Sequence, residues 1–310
     1  MTMEFTVLAS GSSGNASFLC SESFGLLIDV GLGPRQLESR LAMIDHSWSD
    51  VQAVILTHTH GDHWNERTLN RLVNDRIPFY CHSEHGQWLQ RRSQSFVKLQ
   101  SVGLVRYYQP DTTVTFSPHL SCKPFPVRHD SGMTCGFRLE GAVDFFGQPT
   151  VLAYAADLGS WDEQIVKHLS DADLLALEFN HDIMLQKASG RSAHTIARNL
   201  GHAGHLSNDQ AAALILAVLN NSYPGCPQQI VQLHLSESCN RPALAQGVMQ
   251  PIIQNQANDL EVHVSYAGKP TPRFVVGGGF RRKTRKRQVR LPRRKLQPKF
   301  ITPFLPGFQE

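Results

Sequence analysis

Thr57-His58-Thr59-His60-Gly61-Asp62-His63 is the stretch on which the reading of this chain turns. It closes the apolar, β-branched run Val51–Thr57, which places three histidines and an aspartate at the C-terminal end of an expected strand. Alternate residues of an extended chain point the same way, so His58 and His60 can clasp one ion. A turn through Gly61 then presents Asp62 and His63 to a second ion nearby. Imidazole and carboxylate donors without thiolate suit Zn²⁺, Mn²⁺ or Fe²⁺, and the spacing does not choose among them. The bland alternative, a polar surface loop rich in histidine, leaves unexplained why such a loop directly follows an apolar strand.

Outward from this cluster, short strands and helices alternate. Glu4–Leu8 and Phe18–Asp29 read as strands joined through the small, flexible stretch Ser10–Ala16, and Gln36–Met43, Glu66–Val73 and Glu84–Leu89 as helices. Leu104–Tyr108, Thr112–Phe116, Leu120–Val127, Pro149–Ala156, Asp173–Phe179, Gln229–Leu235 and Glu261–Tyr266 read as strands. Trp161–Leu169, Ser192–Leu200, Ser207–Leu219 and Pro242–Gln254 read as helices, and Ser207-x-x-Gln210 has the pattern of a capping box. This is an α/β chain. His129, Asp157 and His234 each follow an apolar run, the place where open α/β sheets put their sites.

The H-x-H-x-D-H pattern resembles the signature of the metallo-β-lactamase superfamily, and the resemblance runs from about residue 4 to 268. It implies a four-layer αββα sandwich, with His58, His60, Asp62, His63, His129, Asp157 and His234 holding two divalent ions and Asp157 bridging them. Asp29, in Leu27-Ile28-Asp29-Val30-Gly31, is similar to the superfamily's early aspartate, which orients a ligand from behind; read from the residues alone it is equally a turn residue. Leu8-Ala9-Ser10-Gly11-Ser12-Ser13-Gly14-Asn15, Glu178-Phe179-Asn180-His181-Asp182 and Gly204-His205-Leu206-Ser207-Asn208 resemble the YycJ (WalJ) group of that superfamily, which implies action on nucleic acid. Glu178 and His205 also occupy places similar to the pair implicated in leaving-group protonation in ribonuclease Z.

Phosphodiester cleavage needs a nucleophile, positive charge on the phosphoryl oxygens and a proton for the departing oxygen. Two ions roughly 3.5 to 4 Å apart supply the first two. A histidine held by a glutamate supplies the third, which makes His205 the candidate acid, Glu178 its orienter, and Asp62 both a ligand and a guide for the attacking water. The expected activity is therefore metal-dependent hydrolysis of DNA or RNA. The same ligands also suit hydrolysis of a small phosphodiester, thioester or lactone, and a nucleic-acid-binding regulator with a vestigial site is a third reading.

Charge separates the chain into two parts. Residues 271 to 310 hold 12 Lys or Arg and one acid, so of the net +4 about −7 belongs to residues 1 to 270. We expect a catalytic domain over 1–270 and a basic arm over 271–310, whose core, 281–299, suits a polyanion such as nucleic acid. The six cysteines form no C-x-x-C pair, which excludes a zinc ribbon and a dithiol redox motif. The opening MTMEFTVLAS lacks a signal-peptide pattern and no apolar run approaches a membrane span, which implies a cytoplasmic protein.

Overall fold

The computed structural model describes residues 3–143, 147–256 and 260–277; the expected basic arm, 281–299, lies outside them. Fourteen strands are described: β1 (Met3–Ala9), β2 (Ala16–Ser21), β3 (Phe24–Ile28), β4 (Ala53–Ile55), β5 (Phe79–His82), β6 (Val105–Tyr108), β7 (Val114–Ser117), β8 (Leu120–Pro126), β9 (Cys135–Val143), β10 (Pro149–Ala155), β11 (Leu174–Glu178), β12 (Gln229–Leu233), β13 (Glu261–Val264) and β14 (Phe274–Val276). They form two seven-stranded sheets, in the orders β14-β1-β2-β3-β4-β5-β6 and β13-β12-β11-β10-β9-β8-β7.

Each sheet begins antiparallel and becomes parallel, at β3 in the first and at β10 in the second. The change follows from the connections. β2 and β3 are adjacent through a two-residue turn, whereas β4, β5, β11 and β12 are each reached through helical segments, which return the chain to the same end of the sheet. β4, β11 and the second half of β10 are wholly buried, as expected of parallel strands covered on both faces.

Three apolar layers show how the sheets stack. Phe5, Leu19, Ile28 and Ile55 of the first sheet interleave with Phe137, Leu152, Leu174 and Val231 of the second. On the first sheet's other face, Leu27, Val54 and Phe79 meet helix residues Leu37, Leu69 and Leu99. On the second sheet's outer face, Val151, Leu175 and Ile230 meet Ile165, Leu214, Ile215 and Met249. Each large side chain so buried contributes roughly 1.5 to 3 kcal/mol. The result is the four-layer αββα sandwich that the sequence implied.

The structure corrects several expectations. Phe18–Asp29 is two strands, because Ser21 pairs with Phe24 across a hairpin turn. The helix expected over Pro242–Gln254 is broken into Pro242–Gly247 and Gln250–Gln256, the second of which has Pro251 in its first turn, where proline is tolerated. The fold also extends past the expected boundary at residue 270: Thr271 Oγ1 accepts from Val7 N at 3.1 Å, and β14 pairs with β1. Among the described residues, no helix is long and apolar enough to cross a membrane.

Candidate metal centre

β3 and β4 of one sheet and β10, β11 and β12 of the other end at a common edge, and the polar residues that follow these strands meet there. From the loop after β4, His58 and His60 join His129, which follows β8, in one group whose donor atoms all lie within 4.8 Å of one another. Asp62 and His63 join His234, which follows β12, in a second group of the same span. Asp157, after β10, lies between them. Its Oδ2 is 2.8 Å from His63 Nε2 and 3.8 Å from His58 Nε2, and its Oδ1 is 2.8 Å from His234 Nδ1. All seven residues expected as ligands are thus gathered in one place.

Hydrogen bonds from behind hold this arrangement. Asp29 is fully buried; its Oδ2 lies 2.8 Å from His63 Nδ1 and its Oδ1 accepts from Thr57 N at 2.8 Å. That contact directs His63 Nε2 towards Asp157, the geometry expected of an orienting carboxylate. His129 Nδ1 donates to the carbonyl of Gly204 at 2.8 Å, which leaves its Nε2 to face His60. Gly31, rather than Gly61, is the glycine that the loop requires. A Cβ at Gly31 would stand 1.8 Å from the carbonyl oxygen of Asp62, whereas one at Gly61 would meet open space.

Sequence reasoning assigned no role to several residues that the structure brings here. Asn15 Nδ2 donates to Asp62 Oδ2 at 3.0 Å and lies 3.0 Å from His63 Nε2. Ser10 Oγ accepts from His234 N at 2.7 Å. Asp130 Oδ1 stands 3.5 Å from Nε2 of both His60 and His129, while its other oxygen accepts from Arg198 Nε. The signals in the sequence were the stretch Leu8–Asn15, which resembles the YycJ group but singles out no residue, and the His129-Asp130 dipeptide.

Glu178 and His205 form the expected pair, with His205 Nδ1 2.7 Å from Glu178 Oε1. The second carboxylate oxygen accepts from the backbone N–H groups of Leu158 and Leu206, both at 3.0 Å. Burial alone would raise the Glu178 carboxyl, but His205 and His234 outweigh it and hold it at about 2. Burial likewise pulls His205 down, and Glu178 and Asp157 lift it to about 9. The capping box at Ser207 and Gln210 forms as the sequence predicted, starting helix Asn208–Asn221 and fixing the chain just beyond His205.

Cations fit this chemistry. Among the described residues, His58 Nε2 and both oxygens of Asp157 are buried without a hydrogen bond of good geometry, a state that is costly unless another partner is present. Burial and the neighbouring His63 keep the His58 imidazole well below its ordinary value, hence neutral and available as a donor. His63, which burial would lower, is raised to about 10 by Asp29 and Asp157. Two close carboxylates and a ring of imidazoles, with no thiolate, form a donor set for a borderline divalent metal.

Fold and donor set together define a class, the metal-dependent hydrolases built on a double sheet. The family described as "Beta-lactamase superfamily domain" matches residues 25–223, and the chain belongs to it; it is a hydrolase of that superfamily. Among curated proteins, the chain is similar to "Exodeoxyribonuclease WalJ" of Streptococcus pneumoniae, 25% identical over 263 residues and covering 85% of this chain and 92% of that protein. It is equally similar to "Exodeoxyribonuclease YycJ" of Bacillus anthracis, 25% identical over 282 residues and covering 87% and 98%. Solved structures share the fold. The metallo-beta-lactamase fold protein YhfI of Bacillus subtilis superposes with a TM-score of 0.60 at 18% identity, covering 87% of this chain and 99% of that one. The short form of human tRNase Z gives 0.56 at 17% identity, covering 86% and 98%.

Proposed function

We propose that the protein is a metal-dependent phosphodiesterase that cleaves nucleic acid. The observation that carries this reading is the buried Glu178–His205 pair, joined to the ligand ring through Asp157, whose Oδ1 is 3.2 Å from His205 Nδ1. The curated relatives named as exodeoxyribonucleases support the substrate class.

His58, His60 and His129 would hold one divalent ion, and Asp62, His63 and His234 the other, with Asp157 shared between them. Zn²⁺ and Mn²⁺ suit these donors best, and Fe²⁺ suits them too. Such ions supply an acidified water and positive charge for the phosphoryl oxygens. Asn15 donates to Asp62 and fixes the carboxylate that would steer an attacking water. Asp29 and Gly204 lock the rings of His63 and His129. Glu178 keeps a proton on His205 Nδ1 and favours the charged ring, so His205 can give a proton to the departing oxygen. The basic arm, 281–299, would add sequence-independent affinity for phosphates to the catalytic domain.

The test is incubation of the metal-loaded full chain with end-labelled DNA and RNA. Shortening that needs the metal and disappears in His60→Ala is the expected result. Inactivity on both polymers, at full metal content, overturns the proposal.

A further inference from the structure

We infer that the segment Lys187 to His202 is the track on which the phosphates of the substrate strand lie, with Arg191 and Arg198 as its anchors. This rests on the nuclease reading above. Residues 1 to 270 carry a net charge of about −7, so most of this surface repels a polyanion. Between Asp182 and Asp209, however, the sequence contains no Asp or Glu, and Lys187, Arg191, His194, Arg198 and His202 are all exposed.

The segment is tied to the metal centre on two sides. At one end, Arg198 Nε donates to Asp130, whose other oxygen reaches to 3.5 Å from the Nε2 atoms of His60 and His129. At the other, Arg191 Nη2 donates to Ser238 Oγ at 2.7 Å, in the loop that leaves β12 through His234. Helix Ala193–Leu200 is therefore tethered at one end to Ser238, in the loop after His234, and at the other to Asp130, beside His60 and His129. Arg191 immediately precedes the N-cap Ser192 and Arg198 lies in the last turn, so the helix, roughly 12 Å long, holds the two arginines towards its opposite ends.

Both guanidinium groups remain available. Among the described residues, Arg191 has no carboxylate partner, and Arg198 uses only its Nε, which leaves both terminal amino groups free to form a fork on a phosphate. Asp130 holds Arg198 at the edge of the centre, so a phosphate gripped there is next to the one being cut. His194, four residues before Arg198, lies on the same helix face as Arg198.

The experiment measures binding of fluorescent, hydrolysis-resistant phosphorothioate strands of DNA and RNA to the metal-loaded full chain, by anisotropy across roughly 50 to 200 mM salt. For Arg191→Gln with Arg198→Gln, affinity at low salt should fall at least tenfold, and the salt dependence should become shallower by about 0.7 per lost phosphate contact, or about 1.4 in all. Lysine at both positions should restore the slope. Lys98→Gln with Lys167→Gln, exposed and on the last turns of helices that lead into β6 and β11 at the far edge, should change neither quantity. Should the double glutamine variant not fold, Arg191→Gln alone carries the test with a change of about 0.7. An unaltered slope and affinity overturn the track, as does a wild-type chain that binds neither strand. A wild-type chain that binds through these arginines but never cleaves keeps the track and overturns the nuclease reading; one that cleaves, with binding indifferent to them, does the reverse.

Discussion

Replacing Glu178 by Gln changes one atom of the carboxylate and reverses a hydrogen bond. Glu178 Oε2 accepts from two backbone N–H groups, so the amide oxygen of Gln keeps that position. The amide nitrogen then faces His205 Nδ1, and also His234 Nδ1, which lies 3.1 Å from the same oxygen; at His205 two donors cannot meet. His205 must present a lone pair at Nδ1 and carry its proton on Nε2, as a neutral ring. With Glu178 in place the ring titrates at about 9; without that charge it falls back towards its ordinary 6.5, because Asp157 Oδ1, 3.2 Å away, is shared with His234 at 2.8 Å. The sign follows: a raised histidine pKa confers its charge below the folded value and loses it above. At pH 8 the charged fraction drops by up to about 30-fold, and at pH 6 it changes by less than about twofold. The assay is turnover against pH for a dinucleotide, whose departing oxygen needs a proton, and for a nitrophenyl ester, whose departing oxygen does not. Metal content is matched between the two proteins, and because nearby cations would lower both pKa values together, the result is read from the growth of the loss with pH on one ester relative to the other rather than from its size at a fixed pH. A loss that grows with pH on the dinucleotide alone is expected. An equal loss at every pH and on both esters would refute the acid role and leave Glu178 as a structural residue.

Other outcomes follow from the same geometry. Asp29→Asn keeps a residue tolerant of left-handed backbone but removes the anion behind His63, so metal affinity measured against a chelating dye should drop about 10- to 100-fold; unchanged affinity counts against the orienting role. Gly31→Ala drives a Cβ to 1.8 Å from Asp62 O and should lower the thermal midpoint sharply, while Gly61→Ala should move it by no more than a degree or so, on the order of an ordinary surface change. Stripping the metal should lower the thermal midpoint, and restoring it to 100 times its dissociation constant should regain about 2.7 kcal/mol. A midpoint indifferent to metal would mean that the seven residues hold none.

The H-x-H-x-D-H segment was legible because its donors are neighbours in the chain, and Asp157 and His234 because each ends an apolar strand. Asn15 and Ser10 were not, since their partners are 47 and 224 residues away and a loop of small polar residues carries no period. β9 escaped for a related reason. Gly136 stands where a Cβ would lie 2.4 Å from the ring of Phe125, and Gly141 further weakens the alternation, so a central strand reads as irregular chain. β5 is four residues long and runs directly into the helix that His82 caps, which leaves too little sequence to show a period. The chain turns at Gly61 as expected, with His63 N donating to the carbonyl of His60 at 3.0 Å, but the crowded glycine is Gly31, set beside the loop by an approach that sequence spacing does not reveal.

The backbone gives a separate argument that chemistry selected these side chains. Asp29 after β3, Asp157 after β10 and His234 after β12 all sit in the left-handed region, with φ of 62°, 55° and 54°. Glycine fits that region without a steric penalty, whereas other residues there cost on the order of 1 kcal/mol, aspartate somewhat less. A chain leaving a strand needs such a step to turn away from the sheet while the side chain still points across the edge. Folding alone would favour glycine at each position; instead two carboxylates and an imidazole are kept, and all are buried. They meet because one strand belongs to the first sheet and two to the second, and the parallel halves of both sheets end at the same edge. The donor ring is thus assembled across the interface between the sheets, so the packing of the apolar layer between them sets the spacing of the donors, and a change there should reach the metal before it reaches the fold.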